Sequence, residues 1–259
     1  MEYLYTTDEM PEGLKILYSR NKMGDRRAIE FFATALARRI REVIEGNEWS
    51  LVSCPTDIPH KNVYYMGNMI AEQLGMPRIH ISRKTYEECA SLYNGGLYVE
   101  VGEEKRLALA RAMHYYEGEP LTGKKIVFID DCVTTGGMYE SCREILDENG
   151  AKEIRPFFAV KVLGDPATVE KDLDLLAIEK GGLQVFCDIV NDPDNIIVSW
   201  GAKSLIIYSE DDLSFIARSL RPERLHELQK TILMYYGKCP ESLLPLFHGR
   251  SPRSSEDHV

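Results

Sequence analysis

The sequence predicts an α/β protein: an open, mostly parallel sheet flanked by helices, with a C-terminal α+β extension. Three observations carry that prediction. Short apolar runs of strand length alternate with helical stripes over the first two thirds of the 259 residues. One of those strands ends in two aspartates and a small-residue loop that opens a helix. Length divided by a usual domain size is about 1.7, which suits one core with an appendage better than two full domains. We place the core at residues 1–168, the extension at 169–248 and a disordered tail at 249–259.

Composition bounds the function. Hydrophobic content of 44% and charged content of 28% are those of a globular protein that keeps its surface in water. A net charge of −10, from 31 basic and 41 acidic side chains, opposes binding to nucleic acid. No apolar run is long enough to span a membrane, and the acidic start MEYLYTTDEM has no signal-peptide core, so a cytoplasmic protein is expected. The six cysteines form no CxxC pair and have no metal-ligand spacing with histidine, so reduced, mostly core thiols are expected.

The first elements follow in order. A short apolar segment, Gly13 to Tyr18, precedes Lys22-Met23-Gly24-Asp25. From Arg26 to Ile44 the apolar residues Ile29, Phe32, Leu36, Ile40 and Val43 form a helical stripe, with arginines on the other side. Trp49 to Cys54 reads as a buried strand, Val63 to Leu74 as a helix stopped by Gly75, and Met76 to Ser82 as a second strand. A strand, a helix and a strand in that order make a parallel pair the economical arrangement.

Residues 83–124 form a long, charged, weakly periodic excursion with a helical piece from Glu103 to Tyr116. A connection of that length between core strands suits a lid. Its end, Gly118 to Lys125, nearly matches a Walker loop but has Lys125 at the hydroxyl position and a strand after it. We read it as a turn.

Lys125 to Met138 is the most informative stretch. Ile126, Val127, Phe128 and Ile129 make a buried strand, Asp130 and Asp131 close it, and Thr134-Thr135-Gly136-Gly137 lead into a helix from Met138 to Glu148. A small-residue loop entering a helix presents unpaired N–H groups and the positive end of the helix dipole, a seat for a phosphate monoester. The glycines allow positive φ and close approach, and the threonine hydroxyls add donors. Two carboxylates beside a phosphate suit a neighbouring diol or a metal ion. A ribose 5-phosphate satisfies both halves. Cys132 and Val133 are the spacer between them; a helix N-terminus would lower the Cys132 pKa if the thiol faced it.

That stretch resembles the phosphoribosyl pyrophosphate (PRPP) signature of type I phosphoribosyltransferases: four apolar residues, two acidic, a short spacer, Thr-Gly-Gly and a hydroxyl residue. Met138 departs from the last position and removes one phosphate donor. Lys22 to Asp25, the proline-containing loop after the first strand and Gly67-Asn68 are similar, more loosely, to the ComF-like branch. The resemblance implies a pentosyltransferase with PRPP as substrate, a small-molecule nitrogenous acceptor and pyrophosphate as product. It implies Asp130 and Asp131 on the ribose diol, Cys132 to Met138 on the 5-phosphate, and Mg2+ held indirectly by the acidic pair. The loop Ser53 to Lys61 becomes the pyrophosphate loop, with Lys61 or His60 on phosphate, and residues 83–124 a mobile lid bearing Arg83, Lys84, Lys105, Arg106 or Arg111. A non-catalytic PRPP- or nucleotide-binding regulator is the alternative.

Beyond the signature, Ile154 to Val162 is the next strand, and Lys161 at its end, with Phe157 or Phe158, falls near where the family holds its acceptor. Gln184 to Ile189, Ile196 to Trp200 and Ser204 to Tyr208 read as further strands. Ser209 caps a helix to Leu220, and Pro222 opens an amphipathic one ended by Gly237, with self-packing the default and a homodimer contact the alternative.

Overall fold

The computed structural model describes residues 1–46, 48–54, 61–84 and 103–248. Among the described residues, five parallel strands form the main sheet in the order β1-β7-β6-β2-β3. These are β1 (Glu2–Thr6), β2 (Trp49–Ser53), β3 (Arg78–Ile79), β6 (Lys125–Val133) and β7 (Glu153–Lys161). A two-stranded antiparallel ribbon, β4 (Ser82–Arg83) with β5 (His114–Tyr115), lies apart from it. The predicted open parallel sheet is therefore present.

The edge strand β1 was not visible as a strand in the sequence. It pairs with β7 from Glu2 opposite Phe157 to Thr6 opposite Lys161. The Met76 to Ser82 strand is shorter than predicted, confined to Arg78–Ile79 before the chain leaves for β4.

Central strands buried on both faces explain the unbroken apolar run of β6. Val127 and Ile129 face a core formed with α2 (Arg26–Val43) and α3 (Asn62–Leu74), where Phe32, Leu36, Met66 and Ile70 pack. Ile126 and Phe128 face the other way, against Tyr139, Cys142 and Leu146 of α5 (Gly137–Glu148). The α2 stripe lies as predicted, and its arginines are on the outer face, where Arg39 reaches Glu2 at 2.7 Å. The helical piece predicted within the excursion, Glu103 to Tyr116, is α4 (Glu103–Met113), shorter because His114–Tyr115 pair as β5; α4 is tied to α5 by Arg111 donating to Glu144.

The C-terminal third departs from prediction. Among the described residues it is entirely helical: α6 (Pro166–Gly181), α7 (Leu183–Asn191), α8 (Ser199–Ser204), a 3-10 turn at Leu205–Ile207, α9 (Glu210–Ser219), α10 (Pro222–Tyr236) and α11 (Pro245–His248). The three strands read there, Gln184 to Ile189, Ile196 to Trp200 and Ser204 to Tyr208, are thus corrected, and the extension is α rather than α+β. The apolar Phe186, Cys187, Ile189 and Val190 are buried from a helix into a second core with Leu213, Ile216, Leu228 and Ile232. Tertiary packing overrides the β-branched preference. The helices predicted at Ser209 and Pro222 are present, with a capping box at Ser209 and Gly237 closing α10.

Helix α1 (Glu12–Lys22) joins the two cores. Ser19 donates to the Asp174 carbonyl at 2.7 Å and accepts the Ala177 N–H at 3.0 Å, fixing α1 to α6. Gly24 follows, at φ +94°, with a backbone so close to Ile196 that an added Cβ would sit 1.9 Å from the Ile196 carbonyl oxygen. Ile196 donates its N–H to the Gly24 carbonyl at 3.0 Å. Asp25 then caps α2 by accepting from the N–H groups of Arg27 and Ala28.

Candidate functional site

A cavity of about 220 Å³ opens at the carboxyl ends of β2 and β6, beside Phe158 of β7, at the edge where open α/β sheets bind ligands. The sequence-singled residues Asp130, Asp131, Cys132, Val133, Thr134, Thr135, Gly136, Gly137 and Met138 all line it, together with Lys61 and Phe158. Lys161 does not; it ends β7 with its ammonium 5.1 Å from the Tyr3 ring centre. Phe157 is core. Residues 55–60 of the proposed pyrophosphate loop and 85–102 of the proposed lid lie outside the described residues. Of the five lid cations, Arg83 lines the cavity, whereas Arg111 is paired to Glu144 on the helix surface.

Local sequence explains the loop. Gly136 takes φ +82°, a left-handed conformation that glycine adopts without strain, and sits at the N-cap of α5. The first N–H groups of α5 have no intrahelical acceptor. They and the Thr134 and Thr135 hydroxyls are the donors that this end of the cavity offers an anion.

The acidic pair is asymmetric. Asp130 accepts the backbone N–H of Asp131 at 2.9 Å; burial first, and the neighbouring Asp131 charge second, push its carboxyl up to about 7. Asp131 Oδ2 takes two donors, Asn62 Nδ2 at 2.7 Å and the Lys22 ammonium at 2.9 Å. Burial alone would raise the Asp131 pKa, but the Lys22 charge and the Asn62 hydrogen bond outweigh it, and the value falls below that of an ordinary aspartate. Lys22 is itself buried, which disfavours its charge, yet Asp131 and then Asp174, 3.9 Å away, hold it firmly protonated. The result is two adjacent aspartates shifted in opposite directions: Asp131 keeps its charge to lower pH than an ordinary aspartate, and Asp130 titrates at about 7.

Lys22 and Asn62 were missed as site residues. Lys22 belongs to the Lys-Met-Gly-Asp run, and Asn62 follows Lys61, but neither neighbours Asp131 in sequence. Burial pushes the Cys132 thiol well up, and the Lys22 charge only partly opposes this. The lowered pKa that a helix N-terminus would give is therefore corrected, and Cys132 is a spacer. Across the cavity, burial and then the Arg83 charge lower the Lys61 pKa. His114, donor or acceptor to Ser141 at 3.1 Å, is held neutral by burial and by Arg83 and Lys61, its pKa about 3.

The helical extension supplies the remaining wall. Glu170 and Asp174 of α6, Val198, Ser199 and Trp200, and Tyr235 and Tyr236 of α10 all reach the cavity. Nothing in the sequence marked these residues, because they come from separate helices with no shared motif.

No protein-family model matches the chain, and no curated protein matches it. Several solved structures do. The purine phosphoribosyltransferase of Pyrococcus horikoshii Ot3 is 16% identical over 63% of this chain and 92% of its own, with a TM-score of 0.35. The adenine phosphoribosyltransferase of Leishmania tarentolae is 15% identical over 57% of this chain and 75% of its own, with a TM-score of 0.35. The phosphoribosylpyrophosphate synthetase of Mycobacterium smegmatis is 20% identical over 54% of this chain, with a TM-score of 0.33, and the matched part is 35% of the synthetase's length.

Proposed function

We propose that this chain binds PRPP and transfers its 5-phosphoribosyl group to a nitrogenous base, releasing pyrophosphate. One observation carries the reading: the acidic pair, the Thr-Gly loop at the α5 N-terminus and the Lys61 and Arg83 cations converge on a single cavity. The loop would hold the 5-phosphate through N–H and hydroxyl donors. Asp130 and Asp131 would accept hydrogen bonds from the ribose diol, and Lys61 and Arg83 would face the diphosphate. Displacement at the anomeric carbon passes through an oxocarbenium-like state, as glycosyl transfers do. The chain's work is then positioning, exclusion of water and stabilisation of departing negative charge.

Mg2+ fits this donor set only indirectly. Among the described residues no three His, Cys, Asp or Glu groups converge to cage a metal, and Asp131 Oδ2 is taken by Lys22 and Asn62. Asp130 is the carboxylate that would face an ion carried in by the diphosphate and ribose hydroxyls. There the ion would supply neutralisation of the leaving group's charge.

A second reading, a PRPP-binding regulator without turnover, is favoured by Met138 in place of a hydroxyl donor. Thermal stability with PRPP and Mg2+ tests the common part. A ligand at 100 times its dissociation constant adds about 2.7 kcal/mol, or roughly 5–10 °C in a chain of this size. No shift at millimolar PRPP would refute both readings. Pyrophosphate release with a panel of bases then separates enzyme from regulator. Asp131→Asn is expected to weaken PRPP binding and abolish release; full activity in that variant would sink the assignment.

A further inference from the structure

We infer that the acceptor is a planar heteroaromatic base that presents amino or ring N–H donors and carries no acidic group, selected by Glu170 and Asp174. This rests on the phosphoribosyl-transfer reading and names the substrate class of the same cavity. The sheet order polarises that cavity about the acidic pair. On the β2 side stand Lys61 and Arg83, suited to the diphosphate. On the β7 side, α6 follows β7 directly, and its residues Glu170 and Asp174, one turn apart, share a helix face and line the cavity.

Lys22 is the cation on this side, and its nearest partner is Asp131, at 2.9 Å against 3.9 Å for Asp174. One ammonium is thus shared between two carboxylates, and Glu170 adds a third anion, 3.9 Å from Cys132 Sγ at the foot of the phosphate loop. The Trp200 indole N–H donates to Asp174 Oδ2 at 3.3 Å, joining the acidic wall to an aromatic one completed by Tyr235 and Tyr236.

A carboxylate accepts hydrogen bonds, so this wall reads donors. A carboxylated acceptor would bring like charge into a partly buried space and lose affinity. Aromatic side chains offer stacking faces for a flat ring. In the transfer, the acceptor nitrogen's lone pair forms the new C–N bond, and the C–O bond to pyrophosphate breaks with its electron pair leaving on the pyrophosphate. The acceptor's N–H proton goes to that leaving group. Glu170 and Asp174 orient the ring through its other donors.

The test uses the full chain loaded with PRPP and Mg2+, with adenine, cytosine, orotate and nicotinate as probes, reading pyrophosphate release and the added thermal shift. Adenine or cytosine is expected to exceed orotate and nicotinate by about tenfold or more in kcat/KM, the range of one hydrogen bond to a charged group. Glu170→Gln should cut that ratio about tenfold, and Glu170→Lys should cut it further in favour of orotate. The inference is overturned if orotate or nicotinate is the best acceptor, if the ratio is unchanged in both variants, or if no amino base binds or reacts on the PRPP-loaded protein. Absence of any PRPP shift overturns the transfer reading along with it. A PRPP shift with preference for a carboxylated base overturns this inference alone.

Discussion

Lys22→Met isolates the buried ion pair while keeping the side-chain stem beside Tyr18, whose ring centre lies 5.5 Å from the ammonium. The side chains of Lys22 and Asp131 are 11% and 7% exposed and their charged atoms 2.9 Å apart. Removing one partner of such a pair strands the other charge in the interior, a cost of about 3–5 kcal/mol. In a chain of this size that corresponds to a fall of roughly 6–20 °C in Tm. Because the pair depresses the Asp131 pKa, its stabilisation is complete above the unfolded value of 3.8 and fades as pH falls through the lower folded value. The deficit of Lys22→Met should therefore shrink in acid. Adding Asp131→Asn removes the stranded charge, so the double variant should recover at least ~1 kcal/mol relative to the sum of the singles. Denaturant unfolding of the four proteins at pH 7 and at a pH well below 3.8 measures this. A single-variant cost below about 1 kcal/mol, or strictly additive costs, would refute a stabilising pair, since contacting charges couple by more than that.

Three further outcomes are expected. Asp130 has a folded pKa of about 7 against 3.8, so its contribution is full below 3.8 and is lost as pH rises toward 7, a span of roughly 4 kcal/mol at most; Asp130→Asn should flatten the stability profile over that range, and an unchanged slope would count against it. Met138→Thr places a hydroxyl at the cavity-lining start of α5 and should tighten ribose 5-phosphate binding about tenfold by calorimetry; weaker binding would remove Met138 from the phosphate seat. Gly24→Ala forces a side chain onto the Ile196 carbonyl at positive φ and should cost at least ~1–3 kcal/mol in denaturant unfolding, whereas a neutral result would mean that the turn relaxes freely.

What was legible in the sequence is what is local. The β6–loop–α5 stretch carries strand, acidic pair and Thr-Gly loop in one run, so its reading needed no partner from elsewhere. Lys22 could not be assigned the same way, because its meaning lies in Asp131 and Asp174 on distant elements. Edge strand β1 has only β7 beside it and a mixed burial pattern, which leaves little periodic signal. In α7 the β-branched run around Phe186 to Val190 favours a strand locally, and only the second core makes it a helix. The helical wall of the cavity was hidden for a related reason: Glu170, Trp200 and Tyr235 meet only after three helices have packed.

The Lys22 to Asp25 turn carries a consequence for the order in which the molecule can assemble. Its lysine is synthesised before one of its neighbours, Cys132, 110 residues downstream, and the Ile196 strut that pins Gly24 emerges later still. A nascent chain can close α2 onto β2 but cannot complete the carboxylate clamp until the helical extension has been made. The Thr134–Gly137 loop is thus synthesised before Asp174 and Ile196, which complete the contacts of Lys22 and Gly24. Slow, long-range closure is the natural kinetic signature of such wiring.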